Sequence, residues 1–212
     1  MSFSPDDEKI AFSDGSSSGQ NIYMINSSQG AAIQQITSSG KNYSPIYSPS
    51  NQEIFYSKEE NGNFYIWSFN LNSSLMTQYG EGATPCISSD GNTLYVTRNN
   101  KTSEQGEIWA INIESGQETL LMSSNERGYS TPKISPDGKK IVCVGISPAS
   151  NTRKQNLDLY TFNIDGTRLT QHTFHGGNDV SPIWDIDGKS IYFLSQRGNE
   201  DGKWNVWKMS FN

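Results

Sequence analysis

The chain has 212 residues, 33% of them hydrophobic, and its 16 Lys and Arg against 22 Asp and Glu give a formal net charge of -6. That balance excludes a nonspecific nucleic-acid groove, which needs positive charge along a phosphate track. Apolar runs such as residues 141–146 fall far short of the roughly 20 residues that cross a bilayer, so no membrane insertion is expected.

In chain order, the first segment opens with MSF and a turn at Ser4-Pro5-Asp6-Asp7. Strands follow at 9–12 (KIAF), 21–26 (NIYMIN) and 32–37 (AIQQIT). The second places SPIYS from Ser44, a turn at Ser48-Pro49-Ser50-Asn51, and strands at 53–57, 63–70 and 74–79. The third has TPCIS from Thr84, a turn at Ser88-Ser89-Asp90-Gly91, and strands at 93–97, 107–112 and 118–123. The fourth has TPKIS from Thr131, a turn at Ser135-Pro136-Asp137-Gly138, and strands at 140–144, 158–163 and 168–173. The fifth has SPIWD from Ser181, a turn at Asp185-Ile186-Asp187-Gly188, and strands at 190–195 and 205–212, with no fourth strand.

Between Asp7, Asn51, Gly91, Gly138 and Gly188 the steps are 44, 40, 47 and 50 residues, so one unit recurs five times. Each unit sets aromatic and β-branched alternation between Asx and Gly turns, the pattern of short antiparallel strands. Ile22, Met24, Ile108, Ala110, Leu159 and Thr161 fall on one side of the third strands and Tyr23, Trp109, Tyr160 and Trp207 on the other, so both faces are expected to be covered. The expectation is an all-β β-propeller of five sheets with mostly four antiparallel strands each, the first and last incomplete, preferred over a β-sandwich. One domain would span 1–212, with repeats at about 1–40, 41–80, 81–125, 126–175 and 176–212. Second strands should begin near Ile10, Ile54, Leu94, Ile141 and Ile191. The connections at 99–106 and 147–156 read as exposed polar loops.

The residues SPDGKKI from Ser135 and DLYTFNIDGTRLT at 158–170 resemble the TolB-like family of β-propeller repeats (PD40, WD40-like). Looser copies run from Ser44 and from Thr84. The resemblance implies a toroidal scaffold that often works by binding another protein, and in TolB itself by docking a partner in the envelope. The matching residues Pro49, Pro136, Asp90, Asp137, Asp187, Gly91, Gly138 and Gly188 are turn formers and imply architecture rather than an active site. Asp7, Ser50-Asn51 and Asp185-Ile186 depart from the motif. The WD40 family proper fits less well, because Trp184-Asp185 lies in an inner strand rather than closing a repeat. Members with six or seven sheets are common, which leaves two alternatives: a tight five-sheet ring, or part of a longer propeller able to oligomerise through its incomplete end sheets.

No residue set points to catalysis. No G-x-S-x-G elbow is present, and Asp185 with Asp187 lacks the ligand spacing that a calcium loop continues to a distal Glu. His172 and His175 with Asp179 are weak metal candidates, short of a full ligand set. Some TolB-like propellers are lyases acting on pectic oligosaccharides around a metal held by several histidines, a pattern that two histidines do not reproduce. The expected function is therefore noncatalytic binding of a protein or peptide, with no cofactor, through Tyr43, Tyr129 and Trp184 beside the inner strands. For Trp184, packing between sheets is at least as good a reading. Carbohydrate binding or lyase chemistry is the alternative, with a glycan as partner. Cys86 and Cys143 read as buried free thiols, and Asn26, Asn42, Asn72 and Asn100 begin chance-level glycosylation sequons. The start MSFSPDDEKI shows no basic-then-apolar leader. The compartment therefore stays open between periplasm or exterior, if a leader was removed, and cytoplasm.

Overall fold

Short alternating segments punctuated by turns leave the backbone one economical way to satisfy its hydrogen bonds, namely antiparallel pairing with the next segment. The computed structural model describes residues 1–16, 19–28, 30–147, 155–198 and 202–211. Among these residues there is no helix, hence none long and apolar enough to cross a membrane.

The first sheet holds β1 (Ser2–Phe3), β2 (Lys9–Ser16), β3 (Gly19–Asn26) and β4 (Ile33–Gln35) in chain order. The second holds β5 (Lys41–Tyr47), β6 (Glu53–Glu60), β7 (Asn63–Asn70) and β8 (Met76–Glu81). A single parallel pair, Gln20 opposite Lys41, ties these two into one hydrogen-bonded sheet. Next come β9 (Ala83–Ile87), β10 (Thr93–Asn99), β11 (Gly106–Asn112) and β12 (Glu118–Met122), then β13 (Gly128–Ile134), β14 (Lys140–Ser147), β15 (Asn156–Asn163) and β16 (Thr170–Gln171). The last sheet has three strands, β17 (Asp179–Trp184), β18 (Ser190–Ser195) and β19 (Asn205–Ser210). The second strand of every sheet begins where the sequence places it, at Lys9, Glu53, Thr93, Lys140 and Ser190.

The chain divides into two compact units, Met1–Val96 with Ile111–Glu118, and Thr97–Ala110 with Thr119–Asn212. In the first, Ala11, Ile22, Met24, Ile36, Tyr47, Ile54 and Tyr56 form one buried cluster with side chains from both sheets. In the second, Val142, Val144, Leu159, Ile191 and Phe193 do the same for the last two sheets, flanked by Trp184, Met209 and Phe211. Faces of successive sheets thus bury each other, which is the reason both faces of a strand carry apolar residues. In β19 that expectation fails: Val206 is 72% exposed and Trp207 40%.

The turns expected to be architectural are built by one hydroxyl. Ser135 Oγ donates to Asp137 Oδ1 (2.7 Å) and accepts from the Lys140 N–H (2.9 Å), while the Asp137 carboxylate accepts from the Lys139 N–H (3.1 Å). Gly138 closes the turn at φ 71°. The same set recurs with Ser4, Asp6 and Lys9 and with Ser88, Asp90 and Thr93. The serine bonds hold the Asp6, Asp90 and Asp137 carboxyls below their ordinary range. Asp7 and Asn51 replace Gly and still take φ 58°, which Asp and Asn tolerate best after Gly.

A second recurrent device was not foreseen. Ser44, Thr84, Thr131 and Ser181, each preceding a proline in an inner strand, adopt φ of 51°, 49°, 51° and 54°. The register shifts at three of these sites, in β5, β13 and β17. The bulge redirects the backbone, and side chains satisfy it where they can: Ser57 Oγ accepts the Thr84 N–H (2.9 Å) and Thr97 Oγ1 the Thr131 N–H (3.1 Å).

Candidate functional site: a polar cleft in the second unit

Within the second unit a cavity of about 290 Å³ opens between the end of β10, the start of β11, β13 and the β14–β15 connection. Its wall carries Thr97, Asn99, Glu104, Gln105, Ser130 and Gln155, with Gly106, Gly128 and Ile146 completing it. That volume is near the lower end for a small-ligand site.

Asn100 shapes one rim. Its side-chain oxygen accepts the Thr102 and Ser103 N–H groups (2.9 and 3.0 Å), and its carbonyl accepts the Glu104 N–H (2.9 Å). Its amide donates to Glu107 Oε1 (2.8 Å), whose other oxygen accepts from the Trp109 indole (2.9 Å). The turn thus hangs on a buried carboxylate that is fully engaged, with Glu104 held at φ 57°. Asn70 and Asn112 build the same kind of turn elsewhere.

Two glycines make the cleft floor. A Cβ on Gly106 would stand 2.5 Å from the Tyr129 carbonyl oxygen, and one on Gly128 would stand 2.9 Å from the Gly106 nitrogen. Only bare backbone lets β11 and β13 meet so closely, and above that floor the cleft presents amide, hydroxyl and carboxylate side chains.

The TolB β-propeller domain family matches residues 1–142 and 84–212, which together span the whole chain. The chain belongs to this family. The Tol-Pal system protein TolB of Francisella tularensis subsp. mediasiatica is 31% identical over 195 residues, covering 86% of this chain and 43% of that protein. The propeller thus spans less than half the length of the TolB relatives it matches. TolB from Acinetobacter baumannii superposes with a TM-score of 0.80 at 16% identity, over 97% of this chain and 51% of that one. Oligogalacturonate lyase from Vibrio parahaemolyticus superposes at 0.70 and 18% identity, over 98% and 61%. Likeness at such low identity speaks for the fold alone.

The residues singled out from sequence do not assemble into one site. Tyr129 is 2% exposed, edge-on to Tyr160 with ring centroids 5.8 Å apart, so its side chain is core and not a contact surface. The Trp184 indole donates to the Lys133 carbonyl (3.0 Å) and lies against Phe211 (5.5 Å), contacts of the packing reading named beside its expected role as a binding residue. Tyr43 is half-buried and edge-on to Phe64 at 5.9 Å.

His172 and His175 also part company. His172 Nε2 hydrogen-bonds Thr161 Oγ1 (2.7 Å) and the ring stands edge-on to Phe211 (4.9 Å), with its pKa lowered by burial and by Lys140. His175 is exposed, and its Nδ1 accepts the Gly177 N–H (3.0 Å). Asp179 is fully buried and pairs with Arg197 (2.6 Å), a guanidinium that lies over Phe193 and Trp207. Among the described residues no three His, Cys, Asp or Glu side chains gather where one ion could be held.

Of the sequon asparagines, Asn42 is 1% exposed and donates to the Gln20 and Ser39 carbonyls, and the Asn100 amide is the one that holds Glu107. Residues 148–154 of the loop at 147–156 lie outside the described residues. Thr97, Glu104, Gln105, Gly128 and Ser130 were not identified from sequence as site residues. The available signal was glycine at the start of two inwardly paired strands, beside a loop already marked as exposed.

Proposed function

We propose that this propeller is a noncatalytic scaffold, one domain over residues 1–212, that binds an extended segment of a partner protein in the cleft beside Asn99 and Gln105, in an envelope setting. The observation carrying the reading is the cleft lining. The amide and hydroxyl side chains of Asn99, Gln105, Ser130 and Gln155, with the Glu104 carboxylate, offer donors and acceptors that pair with a peptide backbone. Among the described lining residues none is aromatic, so they offer no platform on which a sugar face stacks. The relatives' naming for the Tol-Pal system supports a protein partner. Tyr43 is retained as a proposed contact on the first unit, whereas Tyr129 is withdrawn because it is buried.

The test is recovery of partners from the native organism with the wild-type chain and with Asn99→Ala/Gln105→Ala. A partner that the wild type retains and the double variant loses supports the proposal. Equal recovery by both, or cleavage of an oligogalacturonide by the chain with a divalent metal, overturns it.

A further inference from the structure

The first and fourth sheets each meet the sheet that follows them through the same pair of positions, and in the first unit both hold amides. Asn21 precedes Ile22, whose N–H is accepted by the Thr37 hydroxyl (2.9 Å), and that hydroxyl donates to Asn21 Oδ1 (3.1 Å). Asn42 precedes Tyr43, the last paired residue before the β5 bulge. Its side-chain amide donates to the Gln20 and Ser39 carbonyls (3.0 and 2.9 Å) and to Asn21 Oδ1 (3.5 Å). This joint is closed by a side chain that can donate.

In the second unit the same two positions hold carboxyls. Asp158 precedes Leu159, whose N–H is accepted by the Thr173 hydroxyl (2.9 Å), and that hydroxyl donates to Asp158 Oδ1 (3.3 Å). Asp179 precedes Val180, the last paired residue before the β17 bulge. Asp158 is 4% exposed and Asp179 0%. An ionised carboxylate only accepts, so the bond from Asn42 to Asn21 has no counterpart between two ionised aspartates. Asp179 Oδ2 takes the Arg197 guanidinium (2.6 Å), while its Oδ1 is buried with no hydrogen-bond partner, a costly state for an acceptor. Asp158 is faced by the Asn156 amide in β15 (2.8 Å), by the Thr173 hydroxyl after β16, by Arg127 ahead of β13 and by Asp179 in β17. Burial first, and then the Asp179 charge, raise its carboxyl above the ordinary range against the two hydrogen bonds and Arg127.

We propose that Asp158 and Asp179 form an acid-strengthened latch between the fourth and fifth sheets, in which a proton taken up on Asp158 is donated to Asp179 Oδ1, restoring the bond that Asn42 makes to Asn21. Ionisation releases that proton to solvent and leaves two like charges in one buried joint, so the hold of β15 on β17 weakens as pH rises. Between the ordinary value of 3.8 and the raised folded value the folded chain binds more protons than the unfolded one. The contribution is therefore full below 3.8 and is lost as pH rises through the folded value, opposite in sign to that of His172. The latch is separate from the cleft and does not depend on a partner.

The test follows thermal melting of the 212-residue chain from mildly acid to neutral pH, together with carbon-13 NMR of the aspartate carboxyls. The wild-type melting temperature should fall as pH rises through the Asp158 midpoint, by about 3–5 °C for each pH unit between the folded and unfolded midpoints. Asp179→Asn supplies a permanent donor and Asp158→Asn removes the titrating group, so both should lack this fall. His172 titrates in all three proteins and cancels in their differences. Losing the charge pair with Arg197 lowers Asp179→Asn at every pH, so slope rather than height is the readout. In Asp179→Asn the Asp158 midpoint should drop towards its ordinary value. Should that variant not fold, the wild-type spectrum decides: the Asp179 carboxyl carbon shifts at the Asp158 midpoint when the proton is shared. A wild-type slope retained in Asp179→Asn, an Asp179 resonance insensitive at that midpoint, or a neutral-pH melting temperature raised by calcium chloride in the wild type but not in Asp158→Asn would each overturn the proposal.

Discussion

Replacing Gly106 by Ala tests whether backbone contact closes the cleft floor. In an open strand this substitution stabilises by about 0.5–1 kcal/mol, because Gly loses more freedom on folding. Here the new methyl would stand 2.5 Å from the Tyr129 oxygen and 3.3 Å from its carbonyl carbon. The obstacle is main chain, and it cannot turn aside: Tyr129 is 2% exposed and packed edge-on to Tyr160, which Arg127 also contacts. Overpacking of this kind costs about 1–3 kcal/mol, leaving a net loss of roughly 0.5–2 kcal/mol after the entropic gain. Gly106 has no left-handed φ, so strain of the backbone itself plays no part and the steric argument stands alone. Gly176→Ala is the matched control, since no atom lies within 4 Å of the position its Cβ would take. Thermal melting followed by circular dichroism should show Gly106→Ala lowered by about 1–8 °C, at 2–4 °C per kcal/mol for a chain of this size, and Gly176→Ala unchanged or raised. A Gly106→Ala protein as stable as the wild type would refute the reasoning.

Ser135→Ala removes the hydroxyl that joins Asp137 to the Lys140 N–H, and denaturant titration should register a loss of about 1–3 kcal/mol, whereas Ser103→Ala on the exposed Asn100 turn should cost less. Cys143 is fully buried, and burial pushes its thiol far above the ordinary range, so a thiol reagent should leave it unmodified in the native protein and label it once denaturant is added. His172 has its pKa lowered in the folded state, so the unfolded chain binds more protons. Its contribution is therefore fully favourable above the ordinary value of 6.5 and is lost as pH falls through the folded value. His172→Gln should flatten stability over that acid window, and an unchanged pH profile would contradict the assignment.

Strand positions were legible from sequence because alternation and turn chemistry are local: Asp137 and Gly138 announce a turn whatever surrounds them, and the second strands began within one residue of expectation. The fourth strands were harder. Residues 32–37 and 168–173 both read as six-residue strands, yet the ladder covers Ile33–Gln35 in one and Thr170–Gln171 in the other. The reason is chemical, since Thr37 and Thr173 use a hydroxyl where a regular strand would use its carbonyl, ending the ladder while keeping the bond. Side-chain fate was less legible still. Tyr129 and Tyr43 hold adjacent places in the inner strands, Tyr129 three and Tyr43 two residues before the repeated proline, and residue type alone gives both the same contact role. A one-residue offset at the head of a bulged strand is enough to send a ring to the opposite face, so Tyr129 is buried on Tyr160 while Tyr43 keeps part of its surface. The cleft is illegible in the sequence for a different reason. Its floor depends on two glycines meeting across strands 22 positions apart in sequence, and no periodicity within either strand records that meeting.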